Sequence, residues 1–128
     1  MRLLLDTVTF LWLVEGSSRV SAHARALTVD PANDVYVSAA SAWEIAIKNG
    51  LGRLPLRMPP DRYVTQQRVR HRIDSLPVNE EAALQVGKLP DLHRDPFDRL
   101  IVAQAIVEGM TVVTPDRSVS MYPVRVAW

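Results

Sequence analysis

His93-Arg-Asp-Pro-Phe-Asp-Arg-Leu-Ile-Val-Ala-Gln-Ala105 is the stretch on which the reading of the fold turns. Asp95 suits an N-cap and Pro96 suits the first helical position, where the missing N–H costs nothing. Asp98 then falls in the first turn, where the helix dipole favours negative charge. Leu100 to Val107 is apolar on nearly every face, so the spacing predicts a helix covered on more than one side. A carboxylate therefore stands at the mouth of a buried helix. Capping alone accounts for Asp95, and for Asp98 as the return partner of a short capping box. The positions of the other acids decide whether capping is all they do.

Composition narrows the field before any motif does. The 128 residues are enough for one domain (1–128) and for a core without staples, with 48% hydrophobic and 23% charged residues. The absence of cysteine removes disulfides, thiolate metal sites and cysteine nucleophiles together. No run is long enough for a signal peptide or a membrane span, which predicts a cytoplasmic protein without a membrane partner. A formal net charge of +1 neither points to nucleic acid nor excludes it, since a basic rim can offset a cluster of acids.

Arg2 to Leu5 reads as a short strand buried on both faces, with Asp6 at its carboxyl end. A helix over 7–15 follows, stopped by Gly16, and Ser21 caps a second over 22–29. Val35 to Ser38 is the next strand. In the segment after it, Ser41 and Glu44 have capping-box spacing, Lys48 lies one turn beyond Glu44, and Asn49-Gly50 closes the helix. The prolines of 54–60 mark a loop, and Asp61 is placed to cap a helix reaching about His71. That helix carries Arg68 and Arg70, with Arg72 just beyond. The basic run is either a solvated face or a track for a polyanion. A short extended piece spans 74–78, Asn79 caps a helix over 80–86, Met110 to Thr114 is β-rich, and the alternating tail at 124–128 reads as an edge strand. Strands alternating with helices predict an α/β domain with a mostly parallel central sheet.

Ligands of such sheets bind outside the carboxyl ends of the strands. Asp6 and Asp116 map there directly, and Glu44 and Asp98 map there as early helix residues. Four acids on one rim are unfavourable unless something positive joins them. Without cysteine, and with His23, His71 and His93 too scattered to ligate, the candidate is a hard cation, magnesium or manganese, held by carboxylates. Walker, dinucleotide and serine-elbow motifs are missing. What remains is metal-assisted attack of water on a phosphodiester, with Glu44 and Lys48 placed to tune the water.

Leu3 to Thr7, Ser38 to Lys48, Asp95 to Ala105 and Val112 to Asp116, in that order, resemble the PIN-domain ribonucleases over nearly the full chain. They are most similar to the VapC-like toxins of type II toxin–antitoxin modules. The resemblance implies a three-layer α/β/α PIN-like fold and a magnesium- or manganese-dependent endoribonuclease. It also implies an RNA substrate, a cognate antitoxin that blocks the site, and frequent homodimers. Carried over by position, Asp6, Glu44, Asp98 and Asp116 form the catalytic and metal-binding quartet, supported by Asp95, Thr7 and Thr114. Two positions depart from the family pattern: Val8, where a histidine or small residue is usual, and Pro115, which confines Thr114 to extended geometry.

Arg68, Arg70, Arg72, Arg94, Arg99 and Arg117 are candidate phosphate contacts, and Arg99 has the alternative of pairing with nearby acids. Two other readings compete with the ribonuclease. One is a non-catalytic RNA- or partner-binding module whose acids are caps. The other is a metal-dependent DNA nuclease or phosphohydrolase with the same site.

Overall fold

The structure, a computed structural model, describes residues 1–92 and 95–128. His93 and Arg94, with the readings made for them, lie outside the described residues. The elements run β1 (Arg2–Leu5), α1 (Thr7–Val14), α2 (Ala22–Val29), β2 (Asp34–Ser38), α3 (Ala39–Gly50), α4 (Pro60–Arg70) and β3 (Asp74–Leu76). They continue with α5 (Glu80–Gln85), α6 (Pro96–Glu108), β4 (Thr111–Val113) and β5 (Arg125–Ala127). Short 3₁₀ turns at Val86–Lys88 and Val119–Met121 punctuate the second half.

The five strands form one sheet in the order β3-β2-β1-β4-β5, every pairing parallel. The expected mostly parallel sheet is thus parallel throughout the described residues. The chain builds outward from β1 to β3, then crosses back to lay β4 on the other side of β1. That reversal opens a crevice beyond the carboxyl ends of β1 and β4, the place where ligands of open α/β sheets bind.

The unbroken leucines of β1 follow from its central place. Leu3 and Leu5 point into a layer with Phe10, Leu13, Ile45 and Tyr63. Leu4 points the opposite way, into a layer with Ile101, Val102, Ala105 and Val112. Side chains alternate along a strand, so a run that is apolar at every position needs helices over both faces. Each fully buried leucine contributes about 1.5–3 kcal/mol. The result is three layers, with α1 to α4 on one face of the sheet and α5 and α6 on the other.

Helix α6 begins as the sequence predicts. The Asp95 side chain accepts from the N–H groups of Phe97 (2.9 Å) and Asp98 (3.3 Å), with Pro96 at the first position. Gly109 ends the helix at φ 66°, a left-handed turn in which a side chain would be strained, and Met110 N–H closes onto Ala105 O. The caps at Ser21 and Asn79 are likewise in place.

Three local expectations need correction. Ser41 and Glu44 do not form a capping box: β2 runs into α3 without a loop, so Ser38 is the cap, its Oγ accepting from Ala40 N–H at 2.9 Å. Ser41 and Glu44 consequently lie inside the helix, facing inward. Helix α3 also continues through Gly50, and the left-handed residue is Gly52 (φ 72°). Asp61 is not a cap either. Pro59 holds that position with no side-chain bond, because Pro60 starts the helix, and Asp61 contributes only its charge to the first turn.

One polar residue crosses the apolar interior. Gln104, buried in α6, accepts from Ser38 Oγ at 2.5 Å and donates to Pro77 O at 3.1 Å. It ties α6 to the carboxyl ends of β2 and β3, hence to the start of α3. Gln104→Leu would keep the volume and leave a buried hydroxyl and a carbonyl unpaired, a cost of about 1–3 kcal/mol. The urea midpoint should fall with the slope unchanged; an unshifted midpoint would mean that water replaces both bonds.

Candidate active site

Asp6 stands where β1 becomes α1. As N-cap of α1 its Oδ1 accepts from Thr9 N–H at 2.9 Å, while Oδ2 accepts from Thr114 Oγ at 2.5 Å. Thr114 lies just past β4, and its Oγ in turn accepts from Asp116 N–H at 3.0 Å. The hydroxyl proton of Thr114 is thereby directed at Asp6. Burial pushes the Asp6 carboxyl above its ordinary range; the bonds from Thr114 and Thr9 oppose this, and the negative charge of Asp116 adds to it.

Glu44 reaches the same place from α3. It is buried, and Thr7, the first residue of α1, donates its hydroxyl to Glu44 Oε1 at 2.6 Å. Ser41 Oγ lies 2.9 Å from the same Thr7 oxygen. A hydroxyl has one proton, so with Thr7 donating to the carboxylate, Ser41 completes the row by donating to Thr7. On its other side Glu44 Oε2 meets Lys48 Nζ at 2.5 Å, the expected one-turn ion pair.

Asp98 is half-buried in the first turn of α6. Its carboxyl is pushed up to about 7, first by burial and then by the charges of Asp95, Asp6, Glu44 and Asp116. That list is the convergence in electrostatic form: carboxylates from four separate segments are close enough to resist the ionisation of a fifth. Lys48 is held further toward its charged form, chiefly by its bond to Glu44 and also by Asp95 and Asp98. An edge-to-face contact between Trp43 and Phe97, 5.2 Å between centroids, fixes α3 against this end of α6.

Asp116 joins from the solvent side. It is exposed, and its Oδ1 accepts from both the N–H (2.9 Å) and the hydroxyl (2.7 Å) of Ser118. As placed, no three Asp, Glu or His side chains among the described residues form a ready-made ion cage. The donor set nevertheless suits a hard cation. Every candidate ligand is a carboxylate, each oxygen of Asp6 and Glu44 accepts from one group among the described residues and so keeps acceptor capacity, and magnesium takes most of its shell from water and substrate.

The basic candidates divide. Among the described residues Arg99 forms no ion pair with an acid: its guanidinium donates to Pro90 O (2.9 Å), Val86 O (3.2 Å) and Tyr122 Oη (3.2 Å), bracing the 3₁₀ turn against α6. Arg68, Arg70 and Arg72 are at the wrong edge. They occupy the end of α4 that leads into the start of β3, with Arg68 donating to Ile73 O and Arg72 grouped with Asp34 and Asp74 at the amino ends of the strands. The carboxylates lie beyond the carboxyl ends. Arg117 is exposed beside Asp116, and Arg94 is outside the described residues. Gln104 was invisible as a site neighbour in the sequence, its only signal being a lone amide within an apolar helix.

Along α1 runs an apolar groove of about 540 Å³, lined by Val8, Leu11 and Trp12, by Leu54 to Leu56, and by Tyr63 of α4. Glu15 and Arg57 pair across one side of it at 3.6 Å, and Glu15 also accepts from the Tyr63 hydroxyl.

A three-layer, all-parallel α/β protein with carboxylates gathered at its strand reversal is the class that fold and site define. Residues 3–123 match the family model of the PIN domain, and the chain belongs to that family. In sequence it is similar to ribonuclease VapC16 of Mycobacterium tuberculosis, 50% identical over 42 residues. That stretch is 33% of this chain and spans only 30% of that relative's length. In structure it is similar to a chain of VapBC2 from Rickettsia felis bound to a promoter DNA fragment, with TM-score 0.70, 16% identity, and 99% and 98% of the two chains covered. A chain of DNA-bound VapBC from Salmonella typhimurium gives 0.69 at 19% identity over 99% and 97%. A chain of VapBC-1 from nontypeable Haemophilus influenzae gives 0.66 at 18% identity over 99% and 97%. The shared fold is the three-layer arrangement expected.

The raised Asp98 pKa has a definite sign in stability. Between the unfolded carboxylate value near 4 and the folded value of about 7, the native state holds a proton that the unfolded chain has released. The stabilisation is complete below the lower value and lost as pH rises through the upper one. Without metal, urea unfolding of the wild type should therefore lose stability relative to Asp98→Asn between pH 5 and 8. At pH 8 the variant should be the more stable, by on the order of 1 kcal/mol after allowing for solvent screening. A less stable variant at every pH would make Asp98 a capping residue and nothing more.

Proposed function

We propose that the protein is a magnesium- or manganese-dependent endoribonuclease that hydrolyses RNA phosphodiester bonds, the toxin of a toxin–antitoxin pair. The observation that carries this reading is the negative charge converging on Asp98 from Asp6, Glu44, Asp95 and Asp116. A fold does not normally maintain such repulsion around a half-buried carboxyl for capping alone, and perturbed acids in a cleft mark functional sites. The PIN family and the ribonuclease named among the relatives support the same reaction.

Asp6, Asp98 and Asp116, with Glu44, are the residues that would hold the ion. When bound, magnesium or manganese supplies Lewis acidity, making a water a competent nucleophile near neutral pH and offsetting charge on the phosphodiester. The chain's own residues do the rest. Thr114 and Thr9 N–H aim Asp6, so its oxygens need no reorganisation. Thr7 and Lys48 fix the Glu44 carboxylate from both sides, one partner on each oxygen. Single-stranded segments are the favoured substrate, because their bases can be splayed away from a phosphate lowered into a crevice.

The reading extends to partners. The structural neighbours are toxin–antitoxin complexes, and an antitoxin segment with apolar side chains suits the groove over Val8, Leu11 and Trp12, which begins two residues from Asp6. Trp43 and Ile47 on α3 and Leu51 at its C-cap stand exposed at four-residue intervals, the pattern of a helix that meets a second copy in a homodimer. Among the described residues no helix is long and apolar enough to cross a membrane.

Manganese should raise the melting temperature of the wild type, a ligand at a hundredfold excess over its Kd contributing about 2.7 kcal/mol. Asp6→Asn should abolish both that rise and cleavage of RNA. With RNA, DNA and small phosphate esters assayed side by side, cleavage confined to DNA or to the esters would replace the ribonuclease by the corresponding hydrolase. No manganese response and no cleavage would leave a binding module.

Expression of the wild type should arrest growth, and Asp6→Asn should relieve the arrest. Equal toxicity of the two proteins would separate the arrest from the site.

A further inference from the structure

We infer that Lys48 grips the phosphate being cut, in addition to pairing with Glu44. The inference rests on the ribonuclease reading and adds to it a residue that touches substrate.

The argument starts from charge. Asp6, Glu44, Asp98 and Asp116 carry four negative charges when ionised, and one dication cancels two of them. A phosphodiester arriving at that rim still meets net repulsion, so the chain must provide a cation close to the ion site. Among the described residues Arg117, exposed beside Asp116, is the arginine nearest the rim, and no contact ties it to the acids held inside; the others are elsewhere or engaged. Arg99 is taken up by Pro90, Val86 and Tyr122, Arg68 by Ile73, and Arg72 lies at the opposite edge of the sheet. Lys48 is in place.

Its geometry suits the task. Helical side chains lean toward the N-terminus of their helix, so Lys48 reaches back one turn and sets Nζ 2.5 Å from Glu44 Oε2. The partner is nearly inaccessible, at 6% side-chain exposure, whereas Lys48 is 47% exposed. One end of the pair is thus fixed inside the protein while the cation faces solvent. An ammonium has three N–H donors and Glu44 takes one, which leaves two for phosphate oxygens. Trp43 packed on Phe97 holds this part of α3 against the first turn of α6, which keeps the ammonium on Glu44 and within electrostatic range of Asp95 and Asp98. A pair of this spacing on a helix surface ordinarily has both ends in water; here the acid is buried in the site.

A phosphate contact has a signature that a purely structural pair lacks. Each phosphate neutralised on a single strand steepens the dependence of log K on log salt by about 0.7. The experiment uses a fluorescein-labelled, random-sequence single-stranded RNA of about a dozen nucleotides, with calcium as the hard cation to slow cleavage. Anisotropy is read across a potassium chloride series for wild type, Lys48→Gln and Lys48→Arg. Lys48→Gln should bind several-fold more weakly and flatten the slope by about 0.7, and Lys48→Arg should restore the slope. If Lys48→Gln lowers only kcat in manganese and keeps the wild-type slope, Lys48 positions Glu44 and the proposal fails while the nuclease stands. If the wild type neither binds nor cuts the RNA, the nuclease reading fails and this one with it.

Discussion

A carboxylate held at both oxygens, at the point where the central strand turns into a helix, is the constraint around which the rest is arranged. Asp6 is 7% exposed, and a buried carboxylate without partners would neutralise or unfold its surroundings. Its partners come from two directions, the first turn of α1 and the residue after β4. Satisfying Asp6 therefore requires β1, α1 and β4 to meet in one arrangement. That arrangement is the strand reversal at which the crevice opens. Fold and candidate site are not separable here, since the bond that orients the acid also sets the ends of two neighbouring strands.

Around this fixed acid the structure tolerates repulsion that it could have avoided. Asp98 could cap from a solvated position, yet it is half-buried within range of other carboxylates. Among the described residues Lys48 and the hydroxyls of Thr7 and Thr114 answer the charges of Glu44 and Asp6. The raised Asp98 carboxyl shows that its ionisation remains opposed, the kind of local cost that folds keep where local rules are broken. Gln104 supports this arrangement from behind: its bonds to Ser38 and Pro77 tie the body of α6 to the start of α3 and to the end of β3.

Much of the architecture was legible because it rests on local rules. The unbroken Leu3 to Leu5 announced a strand buried on both faces, and Asp95-Pro96 with Gly109 bracketed α6 to the residue. The positions of Asp6, Glu44, Asp98 and Asp116 were legible as acids placed just past strands or within helices that follow them. The failures are of one kind. Ser41 with Glu44 has capping-box spacing, but spacing cannot show that β2 enters α3 with no loop, which moved the cap to Ser38 and turned the pair inward. Arg99 looked like a ligand for phosphate or acid because nothing local reveals that the carbonyls of Val86 and Pro90 fold over it. Long-range partners of a side chain are tertiary facts.

The misplaced basic run shows where more could have been read. In a parallel sheet each helix returns the chain from the carboxyl edge of one strand to the amino edge of the next. Residues just after a strand, such as Asp6 and Asp116, therefore lie at the crevice. Residues late in a helix that leads straight into a strand, such as Arg68, Arg70 and Arg72 before β3, lie at the far edge. Once strands were assigned, topology alone excluded those arginines from the site. Lys48 is late in its helix too, and escapes the rule for two reasons. A connecting loop and α4 separate it from β3, and its long side chain reaches back toward the helix start to meet Glu44. Charge density along the sequence pointed to one end of the molecule; chain direction and side-chain reach point to the other, where the carboxylates are.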